Sequence, residues 1–503
     1  MTDIMEIERK YDVDPDFVVP DLSGLPGCSG VGRPETHLLV ANYFDTDDLR
    51  LAARGITLRR RRGGDDAGWH LKIPAGRDAK KELRAPLGKA QSVPARLTAL
   101  VTAYTRGRKL RPVARLETRR TIIKLFGESD EVLAEVADDS VSAQRLDQVV
   151  DDTTVAAWRE IEVELGAVGS RQLLAAAGKQ LRKAGARRAA AGAKLTRALK
   201  VPTAVTPPHT AWSTAGDVAV GYLADQVDTV LAYDHKVRLQ HYDAVHKMRV
   251  AVRRTRSILK SYGPVLDRGR TDPLQPELKW LADALGEVRD LEVLRERFTG
   301  RLADLAHNGS HPWLDALADE EQAAYRRLFA TLKEPRYFAL LDALEGLVAD
   351  PPLTERARRP IDREVPRLVT RSWHRLAKAY ESIEAAEDHD AARHETRKAA
   401  KRARYTAEAA AAALGKPAAN VAAQAESLQE VLGRFQDGVI AQQHLAGTAE
   451  TVTDPRESFT LGALSGVEYC AAVAALDEVD AVWRQASDPK HLRKLRDCPL
   501  NLR

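Results

Sequence analysis

At 503 residues the chain is too long for one hydrophobic core, so two to four domains are expected. Its hydrophobic content of 44% and charged content of 30% are those of ordinary folded protein, and 77 Lys and Arg against 72 Asp and Glu leave a net charge of only +5. That near-balance excludes a chain coated throughout by polyanion and leaves room for local basic sites among acidic surroundings.

The opening MTDIMEIERKYDV is charged from its third residue and has no apolar core, so no secretory leader is expected. From there to about residue 200, short alternating segments dominate: EIERKYDV, ITLRRRR, WHLKIP, KELRAPL, VARLETRRTIIKLF, VLAEVADDSV and WREIEVEL. Gly63-Gly64 and Gly127 punctuate them, the pattern of antiparallel strands joined by turns. Two stretches, Pro94 to Thr105 and Ser170 to Ala190, read as helices.

Alternation puts Glu6, Glu8 and Lys10 on one strand face, Arg59 and Arg61 on another, and Arg115, Glu117 and Arg119 on a third. Glu82 shares a face with Arg84, and Glu160 with Glu162 and Glu164. One such strand is ordinarily half of a sheet with a wet side. Here, however, carboxylates gather on the first and last strands and Arg or Lys on those between. A closed barrel lined by both would suit a divalent cation and phosphoryl oxygens together, with its apolar outer face covered by the two helices.

Glu6-x-Glu8-x-Lys10, followed in order by Arg59 and Arg61, Lys72, Glu82, Arg119, Asp139, Glu160 with Glu162, and Lys194, resembles the CYTH superfamily of triphosphate tunnel metalloenzymes over residues 1–200. Glu117 departs from the family pattern, which often has a basic residue there. The resemblance implies metal-dependent hydrolysis of a triphosphate, with Mg²⁺ or Mn²⁺ held by Glu6, Glu8, Glu160 and Glu162. Lys10, Arg59, Arg61, Lys72, Arg119 and Lys194 would bind the triphosphate, and Glu82 or Asp139 would position or deprotonate the attacking water. Inorganic triphosphate is the expected substrate, because no aromatic among these strands offers a stacking platform for a base. A CYTH-type adenylate cyclase and a non-catalytic phosphate-binding protein are the alternatives.

Residues 201–217, VPTAVTPPHTAWSTAGD, hold three prolines and no helical pattern, and read as a linker. From 218 to 503 the chain is rich in Ala, Leu, Arg and Glu at helical period, so an all-α bundle is expected. No run of 18 uninterrupted apolar residues occurs, so no membrane span is expected. This half repeats itself. His246, Arg249, Arg253, Arg254 and Arg256 fit H-x-x-R-x-x-x-[KR]-R-x-R, and so do His394, Arg397, Lys401, Arg402 and Arg404, 148 residues later. Downstream, Leu285-Gly286 with Arg289 and Asp290 is echoed by Leu432-Gly433 with Gln436 and Asp437.

Offsets of 0, 3, 7 and 10 lie on one helix face, so each copy makes a basic stripe about 15 Å long. Like charges so spaced repel, which acidic partners or a bound anion must offset. Asp290 and Asp437 read as structural. Solvation alone does not require the same residues at the same offsets twice. The duplicated helix with its LGxxRD segment resembles the CHAD family, and the resemblance implies inorganic polyphosphate as the ligand of the ten motif residues. Gln436 in place of a second arginine is the departure. No helix-turn-helix or zinc pattern and little aromatic interleaving accompany these helices, so nucleic acid is not the expected partner. Cys28, Cys470 and Cys498 have no CxxC spacing, which fits a reducing compartment; the expected location is the cytoplasm, with polyphosphate granules as a possible association.

Overall fold

The computed structural model describes residues 2–76, 78–89, 92–146, 155–190, 192–200, 212–307 and 309–497. Two compact units divide near residue 206. Residues 201–211 of the segment read as linker, and Cys498, lie outside the described residues. Cys28 and Cys470 are free thiols.

The first unit is built on eight long or medium strands: β1 Thr2–Val13, β2 Glu35–Asp45, β3 Thr57–Arg62, β4 Gly68–Pro74, β5 Ala79–Pro86, β6 Arg111–Phe126, β7 Val132–Arg145 and β8 Val155–Leu165. Every pairing is antiparallel, in the order β1-β5-β4-β3-β2-β6-β7-β8. Strand β1 closes the ring by dividing its length. Thr2 to Ile7 pair with β5, and Glu8 to Val13 pair with β8. The charged side chains at positions 6, 8 and 10 therefore face inward, while Tyr11 and Val13 face out.

The outward apolar rows of β1, β7 and β8 are covered by α2 (Arg171–Lys183). Leu173, Leu174, Ala177 and Leu181 pack on Tyr11, Val136, Ile161 and Val163. Ser170 caps this helix by accepting from Leu173 N at 3.1 Å. Gly178 is required where helix and strand meet, since a Cβ there would stand 2.1 Å from Tyr11 Oη. The helix ends at Lys183, short of the Ala190 expected, because Arg187–Arg188 leave it to pair with Tyr11 and Asp12 of β1. The other expected helix is α1, Ala95–Thr105.

One end of the barrel is filled. Ala41 and Tyr43 of β2, Ala114 and Leu116 of β6, and Val141 and Ala143 of β7 pack with Leu195, Ala198 and Leu199 of the short helix α3 (Lys194–Leu199). Along β2 the inward row grades from buried Tyr43, Ala41 and Leu39, through half-buried His37, to exposed Glu35. The cavity thus opens at the Glu35 end and is floored by an apolar plug.

The second unit is all helical. Its first helix, α4 (Ala215–Arg238), begins inside the segment expected to be linker, because Thr214 and Asp217 form a capping box: Asp217 N donates to Thr214 Oγ1 at 3.2 Å and Thr214 N donates to Asp217 Oδ2 at 2.8 Å. There follow α5 Ala244–Ser261, α6 Leu274–Asp304, α7 Pro312–Thr331, α8 Pro335–Ala349, α9 Ile361–Glu381, α10 His389–Leu414, α11 Lys416–Ala449 and α12 Pro455–Ala486. The repeat in sequence is a repeat in packing. Helices α4 to α7 pack each on the next, α9 to α12 do the same, and the second helix of each set, α5 and α10, meet. Small residues on α10, among them Ala400, Ala403 and Ala407, are buried and allow close approach. The region Pro455–Arg496 is long and apolar enough, by length and composition alone, to cross a membrane. Its Glu468, however, is buried and receives Arg301 of α6 at 3.1 Å and Arg297 of the same helix.

Candidate functional site

The cavity inside the barrel has a volume of about 380 Å³. Nine carboxylates and nine Lys or Arg side chains line it, the acids led by Glu6, Glu8, Glu82, Glu162 and Glu164. Equal numbers of opposite charges at such density produce ion pairs, and these sort into two clusters.

In the first cluster, Lys72 Nζ donates to Glu6 Oε2 at 2.5 Å and lies 3.5 Å from Glu82. Glu82 is fully buried; it also pairs with Arg84 and faces His70 Nδ1 at 2.8 Å. Burial, with Glu164 and Glu82 close by, pushes the Glu6 carboxyl up to about 7 despite Lys72. For Glu82 burial acts in the same direction, but the His70 hydrogen bond and the Lys72 charge win and hold it well below the carboxylate range.

In the second cluster, the register sets Arg120, Asp139 and Glu160 side by side on β6, β7 and β8. Arg120 donates to Asp139 at 2.8 and 2.6 Å and to Glu162 at 2.5 Å. Lys194, placed at the cavity floor by α3, lies 2.8 Å from Asp139, 2.8 Å from Glu160 and 2.6 Å from Glu162. Lys10 joins the clusters of β1 and β8, pairing with Glu162 and lying 3.3 Å from Glu8, and Lys80 donates to Glu8 at 2.8 Å. Burial drives the Lys10 ammonium down to about 7, Glu8 notwithstanding. Asp139 is held well below its usual range by Lys194 and Arg120, which outweigh burial.

Asp139, Glu160 and Glu162 form a buried carboxylate triad whose ligand oxygens all lie within 4.8 Å of one another. The donors are hard oxygens with no His or Cys, which suits Mg²⁺ or Mn²⁺. The Lys194 ammonium already supplies positive charge there, and Glu160 Oε1 faces it without a hydrogen bond. The residues present therefore fit a divalent cation, with Lys194 as the group that must yield.

One expected ligand is misplaced. Arg119 is exposed on the outside of β6, and the inward residue is Arg120, followed by Ile122 and Lys124. Glu117, the apparent departure, shares the outer face and pairs with Arg115 at 2.8 Å, so it lies away from the inward charged row. Strand β2, unmarked in the sequence reading, brings Tyr43 to the cavity, so an aromatic is present after all. Tyr43 is only 3% exposed, within the apolar plug, and gives no face for a base. Arg59 and Lys124 are the cavity cations without a carboxylate ion pair among the described residues. For Arg59 the one partner is a tyrosine: it donates to Tyr43 Oη at 3.4 Å, and its Nε is buried without an acceptor. Lys80, Lys124, His70 and Asp66, which pairs with Arg61, are further residues that the sequence reading missed.

In the helical unit the two basic stripes converge. Arg249 and Arg253 of α5 lie close enough to Arg397 and Lys401 of α10 that burial and the three guanidiniums push the Lys401 ammonium down to about 6. The outer ends match. Arg249 pairs with Asp290 at 3.0 Å over Gly286, and Arg397 lies 3.6 Å from Asp437 over Gly433. A Cβ on either glycine would stand 3.1 or 3.2 Å from the guanidinium it carries. The Nε atoms of Arg249, Arg256 and Arg397 are buried without acceptors. Not every motif residue joins this surface. Arg254 and Arg404 are taken by Glu408, at 2.8 and 2.7 Å. Gln436 hydrogen-bonds His394, so the departure from the first copy still holds a motif residue.

An eight-stranded barrel with a charged interior, joined in one chain to a duplicated helical unit with paired basic helices, defines a two-domain class. A family model for the CYTH domain matches residues 5–199 and one for the CHAD domain residues 221–446. An uncharacterized protein of Mycobacterium tuberculosis is 36% identical over 522 residues, which cover 98% of each chain. Among solved structures, PptA from Streptomyces chartreusis is similar at 23% identity, covering 54% of this chain and 99% of that one with a TM-score of 0.46. The CHAD domain from the plant Ricinus communis is similar at 22% identity, with 58% and 96% coverage and a TM-score of 0.43. The chain belongs to the CYTH and CHAD families, one domain of each in that order.

Proposed function

We propose that the barrel hydrolyses inorganic triphosphate, or a related triphosphate, with Mg²⁺ or Mn²⁺, and that the helical unit binds inorganic polyphosphate. The observation that carries the first reading is the cavity lining of nine acids against nine bases, with Arg59 and Lys124 free of any carboxylate among the described residues. A triphosphate entering this cavity takes the bases from their carboxylates, and the freed carboxylates then require a cation. Asp139, Glu160 and Glu162 would hold it, with Glu8 nearby. Such an ion supplies neutralisation of phosphoryl charge and Lewis-acid polarisation. Arg59, Arg61, Lys72 and Arg120 grip the phosphate oxygens and stabilise charge on the leaving diphosphate. Glu82 and Asp139 are held too acidic to take a proton at neutral pH, and serve to orient Lys72, Arg84 and Arg120. The carboxyl nearest neutrality is Glu6.

The test is phosphate release from triphosphate, long-chain polyphosphate, ATP and thiamine triphosphate with each metal. Orthophosphate from triphosphate, lost on Glu160→Gln with Glu162→Gln, supports the reading. Cyclic AMP from ATP would make the barrel a cyclase, and no turnover of any substrate would make it a binding module. For the helical unit, Arg253→Glu with Lys401→Glu should weaken polyphosphate binding and its salt dependence; unchanged affinity would sink that half.

A further inference from the structure

A second basic surface lies on α9, outside both sites. A groove of about 940 Å³ is lined by Arg363, Arg367, Arg371, Arg375 and Lys378 of α9 and by Arg496 near the end of the described chain; Asp362 is its one carboxylate. All six cations are exposed. None has a carboxylate partner among the described residues, unlike the exposed Arg336, which pairs with Glu277, and Arg434, which pairs with Glu478; what sets the six apart is that they share one groove. Four arginines at successive four-residue steps repel one another along the helix. The fold does not demand them. The corresponding helix of the first repeat, α4, carries Asp225 and Asp228 at exposed positions. From Arg363 to Lys378 the row runs about 22 Å at 1.5 Å per residue.

We infer that this groove is a second binding site for a linear phosphate polyanion, continuous with the paired stripes, so that a long polyphosphate chain occupies both. Arg402, next to Lys401 in the second motif, is close enough to Arg375 and to Lys260 of α5 for its charge to act on both, which connects the groove to the region of the paired stripes. No Phe, Tyr or Trp lines the groove, and His374 is its one ring, so it lacks the row of aromatic platforms on which successive bases of a single-stranded nucleic acid stack. The ligand's identity rests on the polyphosphate reading of the stripes; the groove's existence as an anion site does not.

The test uses the full chain and two probes, a short-chain and a long-chain inorganic polyphosphate, titrated across a salt series. The variant is Arg363→Ser with Arg367→Ser and Arg371→Ser, three exposed side chains whose loss leaves no partner unpaired. Long-chain affinity should fall about tenfold or more and its salt slope by about 2, while short-chain binding holds. Unchanged long-chain affinity and slope would overturn the inference, and so would an equal loss for both lengths. Tighter binding of single-stranded DNA than of long-chain polyphosphate to the Arg253→Glu, Lys401→Glu variant would overturn the ligand class. If instead that variant binds both polyphosphates like the wild type, the stripe reading fails and the groove is judged by its own triple variant.

Discussion

Lys401 turns the paired stripes into a proton-linked site. Its ammonium lies among Arg249, Arg253 and Arg397, and burial with these charges lowers it from 10.5 to about 6, against the pull of Asp437. At pH 7.5 the free protein then carries it roughly 3% protonated. Because the folded value is below the unfolded one, the unfolded chain binds the extra proton between about 6 and 10.5. Stability therefore rises with pH across that window, and the cost of the charged lysine is felt in full below about 6. A polyanion between the stripes restores the ammonium, so binding at pH 7.5 takes up close to one proton at this residue, and affinity falls about tenfold per pH unit between 7 and 8.5. Isothermal titration of polyphosphate in buffers of different ionisation heat measures the uptake directly. His246 and His394, both lowered by burial, also titrate. They remain in Lys401→Arg, which keeps the charge and removes the titration, so the slope of log K against pH should flatten by about one. No proton uptake by the wild type, or the same slope in Lys401→Arg, would refute the reasoning.

Three further outcomes follow from the geometry. Arg119→Ala should leave triphosphate turnover within about twofold, whereas Arg120→Lys should lower kcat/KM by about a hundredfold; steady-state phosphate release decides between them, and equal losses would place the wrong arginine in the barrel. Gly286→Ala adds a Cβ 3.1 Å from the Arg249 guanidinium, so thermal unfolding should change by no more than about 1 kcal/mol while polyphosphate affinity drops several-fold. Glu6, raised to about 7, stays neutral in the folded protein over pH values where the unfolded chain ionises it, so its contribution to stability declines from about pH 4.5 towards 7. Metal-dependent activity should rise over pH 6 to 7.5 with an acid limb near 7, and Glu6→Gln should remove that limb.

Much of the barrel was legible because its interior is charged. A strand with one buried charged face and one apolar face alternates as clearly as a half-solvated strand, which made β1, β3, β5 and β8 readable. Strand β2 was not, since Leu38, Leu39, Val40 and Ala41 run without polar alternation and the charge at its open end is sparse. The misplacement of Arg119 has the same origin. Arg119 and Arg120 are adjacent, and only the cross-strand partner tells which faces in; Asp139 opposite Arg120 supplies that, and it is set by pairing across sequence. On helices the period alone sufficed to put Arg249 with Arg253 on one stripe and Arg397 with Lys401 on another; that the stripes meet is set by the packing of α5 on α10. It did not reveal that Glu408 removes Arg254 and Arg404 from the anion surface, because that carboxylate reaches both from one turn beyond the motif.

The two units meet the same chemical demand in opposite ways. The barrel carries its own counterions: most of its bases are paired with a carboxylate, Arg59 and Lys124 excepted among the described residues, so an incoming anion gains most of its contacts by displacing an acid. Binding there is an exchange of partners, weak in net Coulomb terms unless a divalent ion takes the displaced carboxylates. The helical unit leaves Arg253 and Lys401 without acids and lets burial press them together, storing repulsion that an anion relieves at once. The barrel's affinity should therefore depend chiefly on metal and the bundle's chiefly on salt and pH. On the proposed function, that division assigns the barrel a short anion held with its metal for chemistry and the bundle a long one that need only be held.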